Sequence, residues 1–332
     1  MKLAVILFNL GGPDNPEAVE PFLTNLFSDP AVISLPALLR LPLARFIAKR
    51  RGPIAREIYA KIGGRSPILP ETMAQATALE SSLAEHETRC FIAMRCWKPF
   101  TEDAARAVAA WSPDHIVLLP LYPQFSTTTT GSSLEEWRRR AKQADITAPT
   151  TTIYCYPRLA GFIAGLAGAT RDTLAQAKPG ISYRILISAH GLPKRVIARG
   201  DPYQGHVEQT AAALVDQLGI TDWTICYQSR VGPLEWIGPS TDAEIRRAGA
   251  EGKGVVIVPV AFVSEHSETL VELDIEYAHL AGQAGVPDYL RVPTVGVRAE
   301  FIIGLADMVR ESLAGEASPR ICPPSCPVCS KV

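Results

Sequence analysis

No stretch of the 332 residues reaches the roughly 20 consecutive apolar positions that a bilayer-spanning helix needs. Charge of one sign is also missing. The 33 basic and 34 acidic residues leave a formal charge of −1, which gives no general attraction for nucleic acid, and no basic or acidic tail occurs. Met1 leads almost directly into LAVILFN, too short for a signal peptide and without a small-residue cleavage site. A cytoplasmic protein is therefore expected, touching the inner face of a membrane at most peripherally. No GxGxxG, GxxxxGKS or GxxxxGKT follows the first apolar run, which excludes a dinucleotide fingerprint or P-loop there. Seven cysteines in an expected cytosolic chain argue for thiols or metal ligation rather than a disulfide framework.

What is present is an ordinary globular balance, 47% apolar and 20% charged. The length suffices for two domains with separate cores. The chain is organised around Val255–Tyr277, VVIVPVAFVSEHSETLVELDIEY. A valine-rich run predicts a parallel strand buried on both faces, with Pro259 marking either a bulge or the strand's end. A polar loop (Ser264, Glu265, His266, Ser267) follows, and Glu268–Glu276 reads as helix. On a helix of about 3.6 residues per turn, Glu268, Glu272 and Glu276 form one acidic stripe. A solvated face would explain such a stripe, but like charges without an intervening Lys repel. Its start, at the carboxyl end of a buried strand, is where α/β folds place ligands. Carboxylate with imidazole suits a divalent cation or proton transfer.

Leu3–Leu10 predicts a buried strand ending in the sharp turn Gly11-Gly12-Pro13, where a backbone could approach a ligand. Residues 31–51, AVISLPALLRLPLARFIAKRR, form an apolar lip closing on Lys49, Arg50 and Arg51. Pro36 and Pro42 are expected to prevent one long helix here. The lip suits packing on a core, a membrane surface, or a greasy ligand bearing carboxylates. IYAKIGGRSPI (58–68) reads as a helix end with a Gly-Gly stop. Thr88–Arg95 and His115–Tyr122 predict further strands, the latter followed by a hydroxyl-rich loop and a helix. Near residue 150 a second half begins, with strands at Tyr183–Ser188, delivering His190, and at Trp223–Tyr227. Apolar strand, hydroxyl-rich loop and acidic helix start recur in both halves, which suggests a duplicated α/β domain with a cleft between the halves.

Cys322, Cys326 and Cys329 stand as C-x3-C-x2-C in the last eleven residues, a metal-ligating pattern wanting a fourth ligand. Cys90 and Cys226 lie inside predicted strands and are expected to face a core, where a free Cys behaves as a small hydrophobe. Cys155, just past a strand at the domain junction, is the better donor. Spacing leaves zinc and an iron–sulfur cluster both open.

NLGGP (9–13), FIAKRR (46–51), YPQFSTTTTGSS (122–133), SAHGLP (188–193), RGDPY (199–203), YQSRVGPLEWIGP (227–239) and SEHSETLVELDIEY (264–277) together resemble ferrochelatases, in the family's order from residue 5 to about 310. The resemblance implies two Rossmann-like α/β domains, each a parallel sheet flanked by helices: 1–150 with the lip at 31–51, and 151–314 with the metallation site. A Cys-rich tail, 315–332, follows. It implies a porphyrin cleft between the domains and insertion of Fe²⁺ into protoporphyrin IX to give haem. Coproporphyrin metallation, cobalt insertion and a non-catalytic porphyrin carrier are the alternatives. The apolar lip favours the less charged protoporphyrin, and a carrier has no use for the glutamate row.

By the same resemblance, His190 sits at the metallation centre facing Glu268, and one of the two takes the porphyrin protons. His266 supports Glu268, and Glu272 and Glu276 continue a proton or metal path on a π-helix. Leu10, Leu35, Leu41, Arg95, Tyr122, Ser126 and Trp236 match the porphyrin pocket; Arg50, Arg51, Tyr59 and Ser132 match positions near the propionates. The tail resembles those that hold a [2Fe–2S] cluster through three terminal cysteines and one internal one. The internal ligand of the animal pattern falls where this chain has Thr127, so Cys155 is expected to substitute. Glu265 stands where an Asp is common, keeping the carboxylate.

Overall fold

Two parallel four-stranded sheets carry the chain in a computed structural model that describes residues 1–230 and 234–314. The first sheet holds β1 (Lys2–Asn9), β2 (Glu87–Met94), β3 (His115–Pro120) and β4 (Thr150–Thr152), ordered β2-β1-β3-β4. The second holds β5 (Tyr183–His190), β6 (Trp223–Gln228), β7 (Gly254–Pro259) and β8 (Tyr289–Arg291), ordered β6-β5-β7-β8. Every pairing is parallel, and helices connect the strands. The shared order bears out the duplication read from the repeated strand–loop–helix pattern.

Central strands are mostly apolar because both faces are covered. All six residues of β7 are buried, as are all but the first of β1. Val255 and Ile257 of β7 pack with Leu186, Ile245 and Leu273; Ile6 and Phe8 of β1 pack with Phe91, Leu118 and Trp137. In each sheet the order reverses beside the first strand, between β1 and β3 and between β5 and β7. Loops diverge at such a switch point and leave a crevice at the carboxyl edge. The register places His190 beside Gln228 and Ser188 beside Pro259 on that edge.

The chain divides into two units, Met1–Tyr154 with the stretch from Ala306, and Cys155–Leu305. The expected second domain was an unbroken 151–314; the final helix (Ala299–Leu313) instead contributes its later turns to the first unit. There Arg310 Nε donates to Glu85 Oε1 at 2.7 Å.

A second departure concerns the lip. One helix runs from Ala37 to Ala60 with Pro42 and Pro53 inside it. A proline removes the N–H that would bond four residues back, here to the carbonyls of Leu38 and Lys49. Both residues are exposed, so water can take those bonds. Pro36 precedes the helix and does not interrupt it. The Gly-Gly stop is borne out: Gly63 and Gly64 have φ of +84° and +78°, and Gly64 N–H closes on Tyr59 O at 2.8 Å. Pro259 ends β7 rather than bulging it. Glu268–Tyr277 winds as a π-helix, as the resemblance implied, not as the 3.6-residue helix read from spacing.

Candidate active site

β5 carries His190 to the carboxyl edge of its sheet. The ring's Nδ1 lies 2.6 Å from the carbonyl oxygen of Gly191. A carbonyl only accepts, so Nδ1 bears the proton and a neutral ring leaves a lone pair at Nε2. That Nε2 lies 3.6 Å from Glu268 Oε2, beyond the usual 2.7–3.2 Å of a hydrogen bond. Two acceptors thus meet across a gap, an arrangement suited to a cation or an N–H between them. Both side chains are about one-third exposed, 35% and 34%, so the gap is open to a ligand.

The π-helix decides how the acidic stripe runs. At roughly 4.4 residues per turn, a four-residue step falls about 30° short of a full turn, whereas in an α-helix it overshoots by about 40°. Along the stripe exposure grades outward: Glu268 and Glu272 are half-buried, and Glu276 is exposed. Glu272 is held by a collar of donors. Ser229 gives its N–H (2.8 Å) to one carboxylate oxygen and its hydroxyl (2.5 Å) to the other. Gln228 Nε2 (3.1 Å) and the Tyr277 hydroxyl (3.1 Å) complete it. The same Gln228 amide donates to the backbone carbonyl of Glu268 at 3.1 Å, while Ser188 Oγ donates to its Oε1 at 2.8 Å. Burial and the neighbouring charge of Glu268 push the Glu272 carboxyl above its ordinary range in spite of these donors.

His266 is fixed by its backbone. Its N–H donates to Thr269 Oγ1 (3.0 Å), whose hydroxyl returns to the His266 carbonyl (3.0 Å). The imidazole packs edge-on against Phe262, centroids 4.4 Å apart. Burial lowers its pKa, partly offset by Glu268 and Glu265, so it stays neutral near pH 7. Glu265, just before it, accepts from Arg291 Nη1 (2.6 Å) and from the N–H of Thr294 (3.0 Å).

Residues matched to the porphyrin pocket fall into several settings. Arg95 and Ser132 meet each other and a third residue: Arg95 Nη2 lies 3.0 Å from Asp29 Oδ2, Arg95 Nε donates to Ser132 Oγ at 2.7 Å, and Ser132 Oγ donates to Asp29 at 2.6 Å. Arg95 and Asp29 line a cleft of about 480 Å³ in the first unit. Its lining carries four arginines (Arg95, Arg106, Arg139, Arg140) and four carboxylates (Asp29, Glu102, Asp103, Glu136), so its charges cancel. Tyr59 and Ser126 are buried, the former beside Phe22 and Cys96 with Leu10 at the margin. Ser126 caps the turn Thr127–Gly131 by accepting from Thr128 N–H. Leu35 and Leu41 are exposed (40% and 42%), as are Arg50 and Arg51. Tyr122 packs at the edge of the first core. Among the described residues the buried indole N–H of Trp236 has no hydrogen-bond acceptor, the kind of orphaned donor that a bound group would satisfy.

Cys155 is buried at 6% exposure, and Cys226 is buried in β6 as expected, whereas Cys90 is only partly covered. Cys322, Cys326 and Cys329 lie outside the described residues. Gln228, Ser229, Tyr277, Arg291 and Asp29 were given no role by the sequence reading. Gln228 and Ser229 carried one usable signal, their place at a strand's carboxyl end. Asp29 and Arg291 carried none, since their partners are distant in the chain.

Likeness to known proteins extends over nearly the whole chain. The ferrochelatase family model matches residues 2–313. The chain is 58% identical over 317 residues to a ferrochelatase of Caulobacter vibrioides (strain NA1000 / CB15N), covering 94% of this chain and 90% of that one. It is 55% identical over 332 residues to a ferrochelatase of Phenylobacterium zucineum, covering 97% and 96%. Among solved structures it resembles SirB from Bacillus subtilis with Fe³⁺, at a TM-score of 0.54 and 14% identity over 95% and 96% of the two chains. It also resembles the sirohydrochlorin chelatase SirB of Bacillus subtilis subspecies spizizenii in complex with cobalt, at 0.57 and 12% over 95% and 97%. At such identities these two speak for the fold, the chelatase arrangement of paired parallel sheets. With a family model spanning nearly the whole sequence and near-full-length relatives above half identity, the chain belongs to the ferrochelatase family.

Proposed function

We propose that this metal chelatase of haem synthesis inserts Fe²⁺ into protoporphyrin IX at His190 and Glu268. The observation that carries the assignment is the 3.6 Å separation of two acceptors, one imidazole and one carboxylate, at the carboxyl edge beside the β5/β7 switch point. Metallation removes two pyrrole protons and delivers a divalent ion. Nε2 of His190 offers a lone pair for a pyrrole N–H or for iron, with Nδ1 fixed on Gly191. Glu268 supplies the charge that offsets an imidazolium, or a second ligand. The iron is substrate here.

Glu272, raised by burial and by Glu268, would take a proton from the centre, and the exposed Glu276 would pass it to water. His266, buried and neutral, would shape the wall behind Glu268. Leu10, Leu35, Leu41, Tyr122, Ser126 and Trp236 would contact the macrocycle; the orphaned indole N–H of Trp236 supports its place among them. Arg50, Arg51, Tyr59 and Ser132 would serve the propionates. Arg95, paired with Asp29, would act as a fixed charge rather than a free one.

Cys155 with Cys322, Cys326 and Cys329 would hold a [2Fe–2S] cluster. The C-x3-C-x2-C spacing and the burial of Cys155, which would shield a cluster ligand from water, support this. Purified protein would be red-brown, and Cys326→Ser would bleach it; colourless, zinc-loaded protein would reject the cluster. The lip on Ala37–Ala60 would rest on the inner face of a membrane. Leu38, Leu39 and Phe46 are 89%, 62% and 59% exposed beside Arg45, Lys49 and Arg50. No described helix is long and apolar enough to cross a bilayer.

Anaerobic iron insertion into protoporphyrin and coproporphyrin, followed by absorbance, tests the reading. His190→Ala should abolish turnover while porphyrin still binds. Wild-type turnover in that variant would refute the site.

A further inference from the structure

Arg291 sits on β8, paired in register with Ile257 of β7, the strand that feeds the catalytic loop. Its guanidinium reaches both ends of the segment that carries His266, Glu268 and Glu272. Nη1 donates to Glu265 Oε1 at 2.6 Å. Nε and Nη2 donate to the two carboxylate oxygens of Asp274 at 2.7 and 2.5 Å. Thr294, three residues beyond Arg291, adds its N–H to Glu265 at 3.0 Å. The side chains of Arg291 and Glu265 are only 13% and 17% exposed, and that of Asp274 is 33% exposed. A two-pronged Arg–carboxylate contact fixes orientation as well as distance.

Glu265 lies three residues before Glu268, and Asp274 two residues after Glu272. From Glu268 to Tyr277 the chain takes a π-helix, a winding that is rare and found mostly in single turns; Glu265 precedes it and Asp274 lies within it. Such a winding gains from support outside the helix, and Arg291, which touches Glu265 before the helix and Asp274 within it, is anchored to the sheet. We propose that Arg291 is a positioning residue for metal insertion, holding the π winding that sets Glu272 relative to Glu268 and His190. The inference rests on the assignment of the site to His190 and Glu268. Without the clamp, reversion to α-helical winding would rotate Glu272 by about 70° relative to Glu268. That rotation would strip Glu272 of its contacts to Gln228 and Ser229.

Removing Arg291 alone would strand two carboxylates in a largely buried setting and could unfold the unit. The test therefore uses full-length Arg291→Met/Glu265→Gln/Asp274→Asn, which removes all three charges together, beside His190→Ala and Glu268→Gln. The triple variant should melt within about 5 °C of wild type. Its kcat for ferrous insertion should fall about 10- to 100-fold with the porphyrin KM unchanged. A folded triple variant with wild-type kcat, or with a change confined to KM, overturns the role of Arg291. If His190→Ala and Glu268→Gln also retain turnover, the site assignment falls with it; if they lose turnover while the triple variant does not, only the Arg291 role falls.

Discussion

Replacing Glu268 by Gln keeps the side chain's size and removes its charge, which isolates the electrostatic part of the proposed chemistry. Nδ1 of His190 is committed to the Gly191 carbonyl, so a proton taken from the macrocycle arrives at Nε2 and makes the ring cationic. Glu268 Oε2 then faces that charge at 3.6 Å. At an effective dielectric of about 20, the attraction at this separation is about 4–5 kcal/mol. Both groups are one-third exposed, which discounts it to about 2–3 kcal/mol. The expected result is a fall in kcat of about 30- to 150-fold. An amide N–H placed on Nε2 would occupy its lone pair and push in the same direction. The assay is anaerobic haem formation by absorbance, paired with quenching of porphyrin fluorescence to measure binding. A kcat within about threefold of wild type, or a defect wholly in porphyrin affinity, would refute the pairing of these two residues.

Two glycines should respond oppositely to alanine. At Gly161 a Cβ would lie 2.2 Å from the carbonyl oxygen of Glu300 and 3.0 Å from Gly304 Cα. Gly161→Ala should therefore cost about 2–3 kcal/mol in urea unfolding. Gly205 has nothing within 4 Å, and Gly205→Ala should gain up to about 1 kcal/mol; equal midpoints for the pair would contradict the packing. Burial alone would raise the carboxyls of Glu265 and Asp222, but Arg291, and Arg184 with Lys253, outweigh it and hold both below their ordinary values. Carboxyls so depressed contribute stability that is complete above the unfolded pKa of about 4 and is lost as pH falls through the folded values. Urea midpoints should drop on acidification below about pH 5, and should do so less in the triple neutral variant at 265, 274 and 291. Leu38 and Phe46 are exposed, so Leu38→Glu/Phe46→Glu should fold normally and yet co-sediment several-fold less with anionic liposomes. Equal sedimentation would remove the membrane role of the lip.

Much of the frame was legible because its signals are local. The valine run at 255–258, the apolar run from Leu3 and the strand ending at His190 each follow from burial on both faces of a parallel sheet. The lip was half-read. Prolines such as Pro42 and Pro53 argue against a continuous helix only where the freed carbonyls are buried, and exposure of Leu38 and Lys49 is a tertiary fact. The even spacing of Glu268, Glu272 and Glu276 marked a stripe but not its winding, because four-residue spacing fits both π and α periods nearly as well.

By itself the sequence determined that imidazole and carboxylates stand at the carboxyl ends of buried strands, since strand, turn and helix patterns act over a few residues. Only the tertiary structure decided what those groups touch. Gln228 meets Glu272 across 44 residues of chain, and Arg291 reaches Asp274 across 17. Such bonds form because parallel strands bring remote segments to one edge of a sheet. No short-range pattern encodes which donor will then lie within 3 Å of which acceptor.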